Sequence, residues 1–191
     1  MRNTFSSGHF IKGFAVFMFV SLSCLFFPIT VNAGSDSKLA EEYFVKAALL
    51  INFTKLIQWP TREFSSSDDS LKICIIGEDP FGNALDVAKN ITANNRKLDI
   101  RRLLNWESTS HCHIAFISTS EEGHVNSILG RLRGKAVLTI SDIRGIEKMG
   151  GMIAFFPKGN KVGIRINIES ARRANLNMSS HLLEAAEIVP Y

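Results

Sequence analysis

Three short apolar runs, residues 71–76, 113–118 and 136–140, constrain the fold of this chain more than any other feature. The first reads Leu-Lys-Ile-Cys-Ile-Ile, too short for a core helix and too continuously apolar for a strand with one wet face. A strand covered on both sides, as in a parallel sheet, is the arrangement that buries such a run. Residues 98–103 alternate instead, like a half-covered strand. Between these strands lie a turn at residues 77–82, Gly-Glu-Asp-Pro-Phe-Gly, and a helix expected over 83–90. Thr119 and Glu122 have capping-box spacing before a second helix that reaches about residue 132, and Gly134 closes it. This alternation argues for an α/β fold whose parallel strands are joined by right-handed crossovers.

The flanks complete the outline. Residues 34–37 read as a short flexible leader, followed by a helix over 38–58 on which Leu39, Tyr43, Ala47, Leu50, Ile51, Thr54 and Ile57 recur at helical spacing. Glu41, Glu42, Lys46 and Lys55 fall mainly elsewhere, and Trp59-Pro60 ends the helix. Residues 63–70 form a polar loop. At the other end, residues 150–156 and 161–167 are strand-like and joined through Pro157-Lys158-Gly159-Asn160, a connection short enough for an antiparallel hairpin. Helices over 169–174 and 180–189 close the chain, the latter with Ser180 as N-cap. The expectation is a single domain over residues 34–191, with no internal repeat.

Residues 1–33 have a different character. Arg2 and Lys12 precede an uncharged stretch at 14–27, Pro28 breaks it, and Val31-Asn32-Ala33 offers small residues at a cleavage site. The stretch is shorter than the roughly 20 residues of a spanning helix, which favours a cleaved export signal over a retained anchor. Cys24 lies within the apolar run and suits its middle better than a lipid attachment site. The signal takes two of the 22 basic residues and none of the 18 acidic ones, leaving the exported part nearly neutral. A nearly neutral exported chain is a poor partner for nucleic acid. Arg101-Arg102, Arg131, Arg133 and Arg172-Arg173 are accordingly read as solvated surface.

Few residues suggest chemistry. The turn at 77–82 lacks the Gly-Lys-Ser/Thr and Gly-x-Gly-x-x-Gly patterns that cradle phosphates, and neither His-Glu-x-x-His nor Gly-x-Ser-x-Gly occurs. In an extended His111-Cys112-His113 the two imidazoles share one face and the thiol lies on the other, too few ligands for a closed metal site. Ser141-Asp142 follows a strand, either as a functional pair or as a turn in which Asp142 accepts backbone hydrogen bonds. No catalytic residue, cofactor or metal is expected. After export two cysteines remain, Cys74 and Cys112, and the spacing fits either a bridge or two buried thiols.

Taken in order, these segments resemble the YfiR family. The resemblance is carried by residues 42–55 (Glu-Tyr-Phe-Val-Lys-Ala-Ala-Leu-Leu-Ile-Asn-Phe-Thr-Lys) with Trp59-Pro60, by 74–82 and by Cys112-His113-Ile114-Ala115-Phe116-Ile117-Ser118. It continues through Leu132-Arg133-Gly134, residues 137–142, Gly150-Gly151-Met152-Ile153 and residues 167–174. It implies a Rossmann-like three-layer α/β domain with a largely parallel sheet ending in the hairpin, a tendency to dimerise, and no enzymatic activity. It further implies a periplasmic repressor that binds the periplasmic sensor region of an inner-membrane diguanylate cyclase and lowers cyclic di-GMP, with effects on biofilm and motility. An outer-membrane lipoprotein is the implied sequestering partner. The resemblance also implies a Cys74–Cys112 disulfide. The family's second cysteine pair falls at Glu147 and Ala154, so redox control through that pair is not expected here. A small-molecule sensor with a pocket near residues 77–82, 118–120 and 141–142 is the alternative reading. Interface anchors are enriched in aromatics and arginine, so the partner-contact candidates are Trp59, Met152, Ile153, Arg172 and Arg173. For each, an ordinary core or surface role is the competing reading.

Overall fold

The computed structural model describes residues 33–66, 68–104, 106 and 111–190, with side chains from residue 37 onward. The expected export signal therefore lies, but for Ala33, outside the described residues. From Ala33 on, the chain forms one compact unit.

The apolar runs become the centre of a sheet because their residue types bury on both faces. Helix α1 (Ala33–Leu56) leads into β1 (Ile57–Gln58), then β2 (Leu71–Ile76), β3 (Thr92–Ala93), β4 (Arg96–Leu103) and β5 (Ile114–Ile117). Helix α2 (Val125–Leu132), β6 (Leu138–Ser141) and the hairpin β7 (Ile153–Lys158) and β8 (Lys161–Ile166) follow. Helix α3 (Ile168–Arg173), β9 (Asn177–Met178), α4 (Ser180–Glu184) and β10 (Glu187–Ile188) complete the chain. The fold is mixed α/β, and its main sheet has eight strands in the order β10-β8-β7-β6-β5-β2-β4-β3. The pairs β4–β2, β2–β5, β5–β6 and β6–β7 are parallel, with Ile73 opposite both Ile100 and Ile114. The β7–β8 hairpin is antiparallel, as its short connection demands.

Period-two alternation sorts the strand residues into two cores. Ile73 and Ile75, with Phe116, Leu138, Ile140 and Phe155, pack against Ala47, Leu50 and Phe53 of α1. Cys74 and Ile76, with Ala115 and Ile117, pack against Val125, Ile128 and Leu132 of α2. Each fully buried Ile or Leu contributes about 1.5–3 kcal/mol. The Phe53 and Phe155 rings stack 6.1 Å apart, and Phe81 meets the Phe116 ring edge-on at 4.7 Å. The Cys74–Cys112 disulfide forms on the α2 side, with Cα atoms 5.8 Å apart.

Several sequence expectations need correction. Residues 34–37 continue α1 and are not a flexible leader. That helix stops at Leu56, because Ile57–Gln58 pairs antiparallel with Asn177–Met178 in a separate two-stranded sheet. The segment Gly82–Asn90 is a 3-10 helix. The Thr119 capping box does not form, since Thr119–His124 is a 3-10 turn that runs into α2 without a side-chain cap. Ser179, not Ser180, caps α4 by accepting from the Leu182 amide at 3.3 Å. The last helix ends at Glu184, and Glu187–Ile188 adds parallel to β8.

Candidate functional site

The chain crosses from β2 to β4 on one side and returns to β5 on the other, so the sheet reverses its order between β2 and β5. Ligand crevices in open α/β sheets form at the carboxyl ends of strands at such a point. Here that position holds an open crevice of about 540 Å³ lined by Leu39 and Tyr43 of α1, Glu78, Asp79 and Pro80 after β2, and Ser118–Ser120 after β5. The backbone shapes it. Gly77 turns out of β2 at a φ of +89°, and a Cβ there would collide with Ser120 and Glu121. The Glu78 amide donates to Ser120 Oγ at 2.9 Å, holding the two loops together. Arg102 donates to Asp79 at 2.6 Å from the neighbouring strand.

Beside the crevice, after β6, lies a buried ionic cluster. Asp142 Oδ2 accepts from Tyr43 Oη at 2.6 Å and from Lys46 Nζ at 2.8 Å, and Lys46 also meets Glu42 at 2.7 Å. Lys46 is 4% exposed, so the sequence reading that set it away from the apolar face of α1 is corrected. Burial, and then the bond to Asp142, push the Tyr43 phenol upward, which keeps it a proton donor. Asp142 Oδ1 is buried and has no hydrogen-bond partner among the described residues. Asp142 is therefore an anchor for α1, a role for which neither the functional pair nor the simple turn accounts. Ser141 Oγ donates to the Ile117 carbonyl at 2.6 Å and accepts from the Ile143 amide. The sequence signal for the cluster was a lysine within helical spacing of Tyr43 and Leu50.

At the opposite end of the sheet, His113 is buried against Phe64, which stacks on its ring at 4.6 Å, and against the edge of Trp59. Its Nδ1 accepts from the Lys72 amide at 3.0 Å. Burial, reinforced by the nearby Lys72 charge, pushes its pKa down to about 4, so it is neutral at pH 7. His111 is exposed, whereas His113 is buried with its Nδ1 taken by the Lys72 amide. Among the described residues no group of three His, Cys, Asp or Glu is placed to hold a metal.

The partner-contact candidates separate in the structure. Trp59 is half-buried and donates from Nε1 to the His113 carbonyl at 3.2 Å. Met152 and Ile153 are 5% and 0% exposed, so these two core residues present no surface to a partner. The reason is position: Ile153 enters β7 opposite Ile140, inside the sheet. Arg172 is exposed and paired with Glu169 at 2.7 Å, and Arg173 is exposed and donates to Ser170 Oγ at 3.1 Å. Glu147 and Ala154 are both buried.

The surface that sequence reasoning missed is on α1. Leu39, Phe44 and Val45 are 54%, 60% and 44% exposed, although Ala47, Leu50 and Phe53 of the same helix lie in the core. Apolar residues thus occupy more than one side of α1, and the signal was Phe44-Val45 directly after Tyr43, which exceeds the width of one apolar stripe. The adjacent Phe44 and Val45 leave apolar area open to a protein contact. Among the described residues no helix is long and apolar enough to cross a membrane. The profile of one known family, described as YfiR/HmsC-like, matches residues 43–187, from within α1 to β10.

Proposed function

The chain belongs to the YfiR/HmsC-like family, and from that premise we propose that it is a periplasmic repressor of a membrane-bound diguanylate cyclase. The family is regulatory and belongs to cyclic di-GMP signalling, and the match over residues 43–187 is the observation that carries the reading. After loss of residues 1–33 the protein works as one Rossmann-like domain outside the cytoplasm. It grips the periplasmic sensor region of the cyclase and so lowers cyclic di-GMP, biofilm formation following from that signal. The exposed apolar residues Leu39, Phe44 and Val45 support a gripping mechanism, because they place hydrophobic area where a partner can cover it. Trp59, Arg172 and Arg173 remain contact candidates. An outer-membrane lipoprotein competes for the protein, and the active form is a homodimer.

Deleting the gene raises cyclic di-GMP, and a tagged copy recovers a cyclase from solubilised membranes. Phe44→Asp, folded by circular dichroism, loses the cyclase. Unchanged cyclic di-GMP together with no cyclase recovered refutes the reading.

The crevice of about 540 Å³ at the strand reversal favours a second reading, a small-molecule sensor module. A metabolite screen by thermal shift that finds nothing stabilising counts against it.

A further inference from the structure

At the strand reversal a buried hydroxyl has nothing to bond. Ser118 is 3% exposed, and its backbone amide and carbonyl are both spent, on the Ile76 carbonyl and the Glu121 amide. Its Oγ has no hydrogen-bond partner among the described residues, and Ser118 lines the crevice of about 540 Å³. Buried polar side chains are ordinarily bonded, so this hydroxyl is set for a group that enters from the crevice. The charges around it are of one sign. Glu78 and Asp79 are the charged residues of the lining, and both are acidic. Asp79 is spent, its Oδ2 on Arg102 and its Oδ1 on the Phe81 amide at 2.8 Å. Glu78 is exposed, and its carboxylate has no partner among the described residues. Behind the Tyr43 wall lies Asp142, whose Oδ2 takes the Tyr43 hydroxyl and whose buried Oδ1 takes nothing among the described residues. Lys46 serves both Asp142 and Glu42, so that cluster keeps one negative charge in excess. Leu39 and Pro80 give the crevice apolar wall.

We propose that the crevice binds a small organic amine, a primary ammonium carried on an aromatic or aliphatic body, with the Ser118 hydroxyl accepting an N–H and Glu78 pairing with the charge. This rests on the sensor reading of the same crevice and names its ligand. The volume falls in the range that takes a small molecule. A primary ammonium has three donors and no acceptor, which answers a hydroxyl oxygen and a carboxylate that both lack donors. The excess charge of the Asp142 cluster adds attraction that salt screens less than it screens a surface charge, because the cluster is buried. A neutral alcohol leaves Glu78 unanswered, a carboxylate is repelled, and an ammonium without a body leaves Leu39 and Pro80 wet. Among the described residues no three His, Cys, Asp or Glu converge to hold a metal ion in its place.

The test is NMR titration of the purified protein with 2-phenylethylamine, with neutral 2-phenylethanol and with 3-phenylpropionate. The amine shifts the Leu39 methyls and the amides of Glu78 and Ser118–Ser120 saturably, with a Kd below about 3 mM, while the alcohol and the propionate each bind at least about fivefold more weakly. Ser118→Ala and Glu78→Gln each weaken the amine about threefold or more. Ser118→Ala does so without lowering the thermal midpoint, because the hydroxyl gives up no bond in the free protein. Glu122→Gln, which removes an exposed carboxylate that does not line the crevice, leaves the affinity unchanged. The proposal is overturned by the absence of saturable amine shifts at the crevice, by equal binding of the alcohol, or by an unaltered affinity in both Ser118→Ala and Glu78→Gln. Crevice shifts from the alcohol or the propionate alone overturn the amine class and keep the sensor reading. Crevice shifts from none of the three, together with an empty metabolite screen, remove both.

Discussion

Lys46→Met removes the only cation bonded to Asp142 among the described residues, and its cost follows from the geometry of the cluster. The Asp142 side chain is 10% exposed, so without Lys46 a carboxylate is left in a place where water cannot replace the lost partner. Breaking one side of a buried ion pair costs about 3–5 kcal/mol. Tyr43 still donates to Asp142 at 2.6 Å, which puts the expected loss near the lower end, about 3 kcal/mol. Asp142→Asn is milder, about 1–2 kcal/mol, because Lys46 keeps Glu42 at 2.7 Å and the amide oxygen can still accept from Tyr43. The double variant Lys46→Met/Asp142→Asn costs less than the two singles together by at least about 1 kcal/mol, since the stranded charge is gone. Urea denaturation at pH 7, read by far-UV circular dichroism, measures all three. A loss under about 1 kcal/mol for Lys46→Met, or additivity within about 0.5 kcal/mol, refutes the assignment of this cluster as the clamp that holds α1 to the sheet.

Reducing the Cys74–Cys112 bridge, which spans 38 residues of sequence, lowers stability by about 4 kcal/mol in the chain-entropy treatment, read as a shift of the urea midpoint with and without reductant. His113 gives a pH signature. Its folded pKa of about 4 lies below the unfolded value of 6.5, so its contribution is complete above pH 6.5 and is lost as pH falls from there to about 4. The loss is up to about 3 kcal/mol, reduced by whatever solvent screening reaches the ring, and His113→Gln flattens the profile in that window. Gly163→Ala destabilises by about 2 kcal/mol or more, because the new methyl would sit 2.5 Å from the Phe156 ring, against which Arg165 also lies; thermal unfolding of that variant checks it.

The parts of the fold legible in the sequence were those whose signal is local. The run Leu71–Ile76 declared a two-faced burial, and the Pro157–Asn160 connection declared a hairpin, because residue type at period two and turn length are read along the chain. The two-residue strands β1, β9 and β10 were invisible, since each is too short to carry a period and exists through a partner distant in sequence, as Ile57 does through Met178. In the site, Ser118–Ser120 and the Gly77 turn were anticipated from their place after strands. Tyr43 and Lys46 were not, because their partner Asp142 lies 99 and 96 residues away.

Residue type and spacing alone determined that this chain forms an α/β sheet with a hairpin among its strands, and left Cys74 and Cys112 open between a bridge and two buried thiols. Tertiary structure alone decided which of the apolar and charged residues face water. Met152 and Ile153 went into the core, Phe44 and Val45 stayed out of it, and Lys46 was buried against Asp142. Exposure depends on what packs across from a residue, and that neighbour is supplied by another part of the chain.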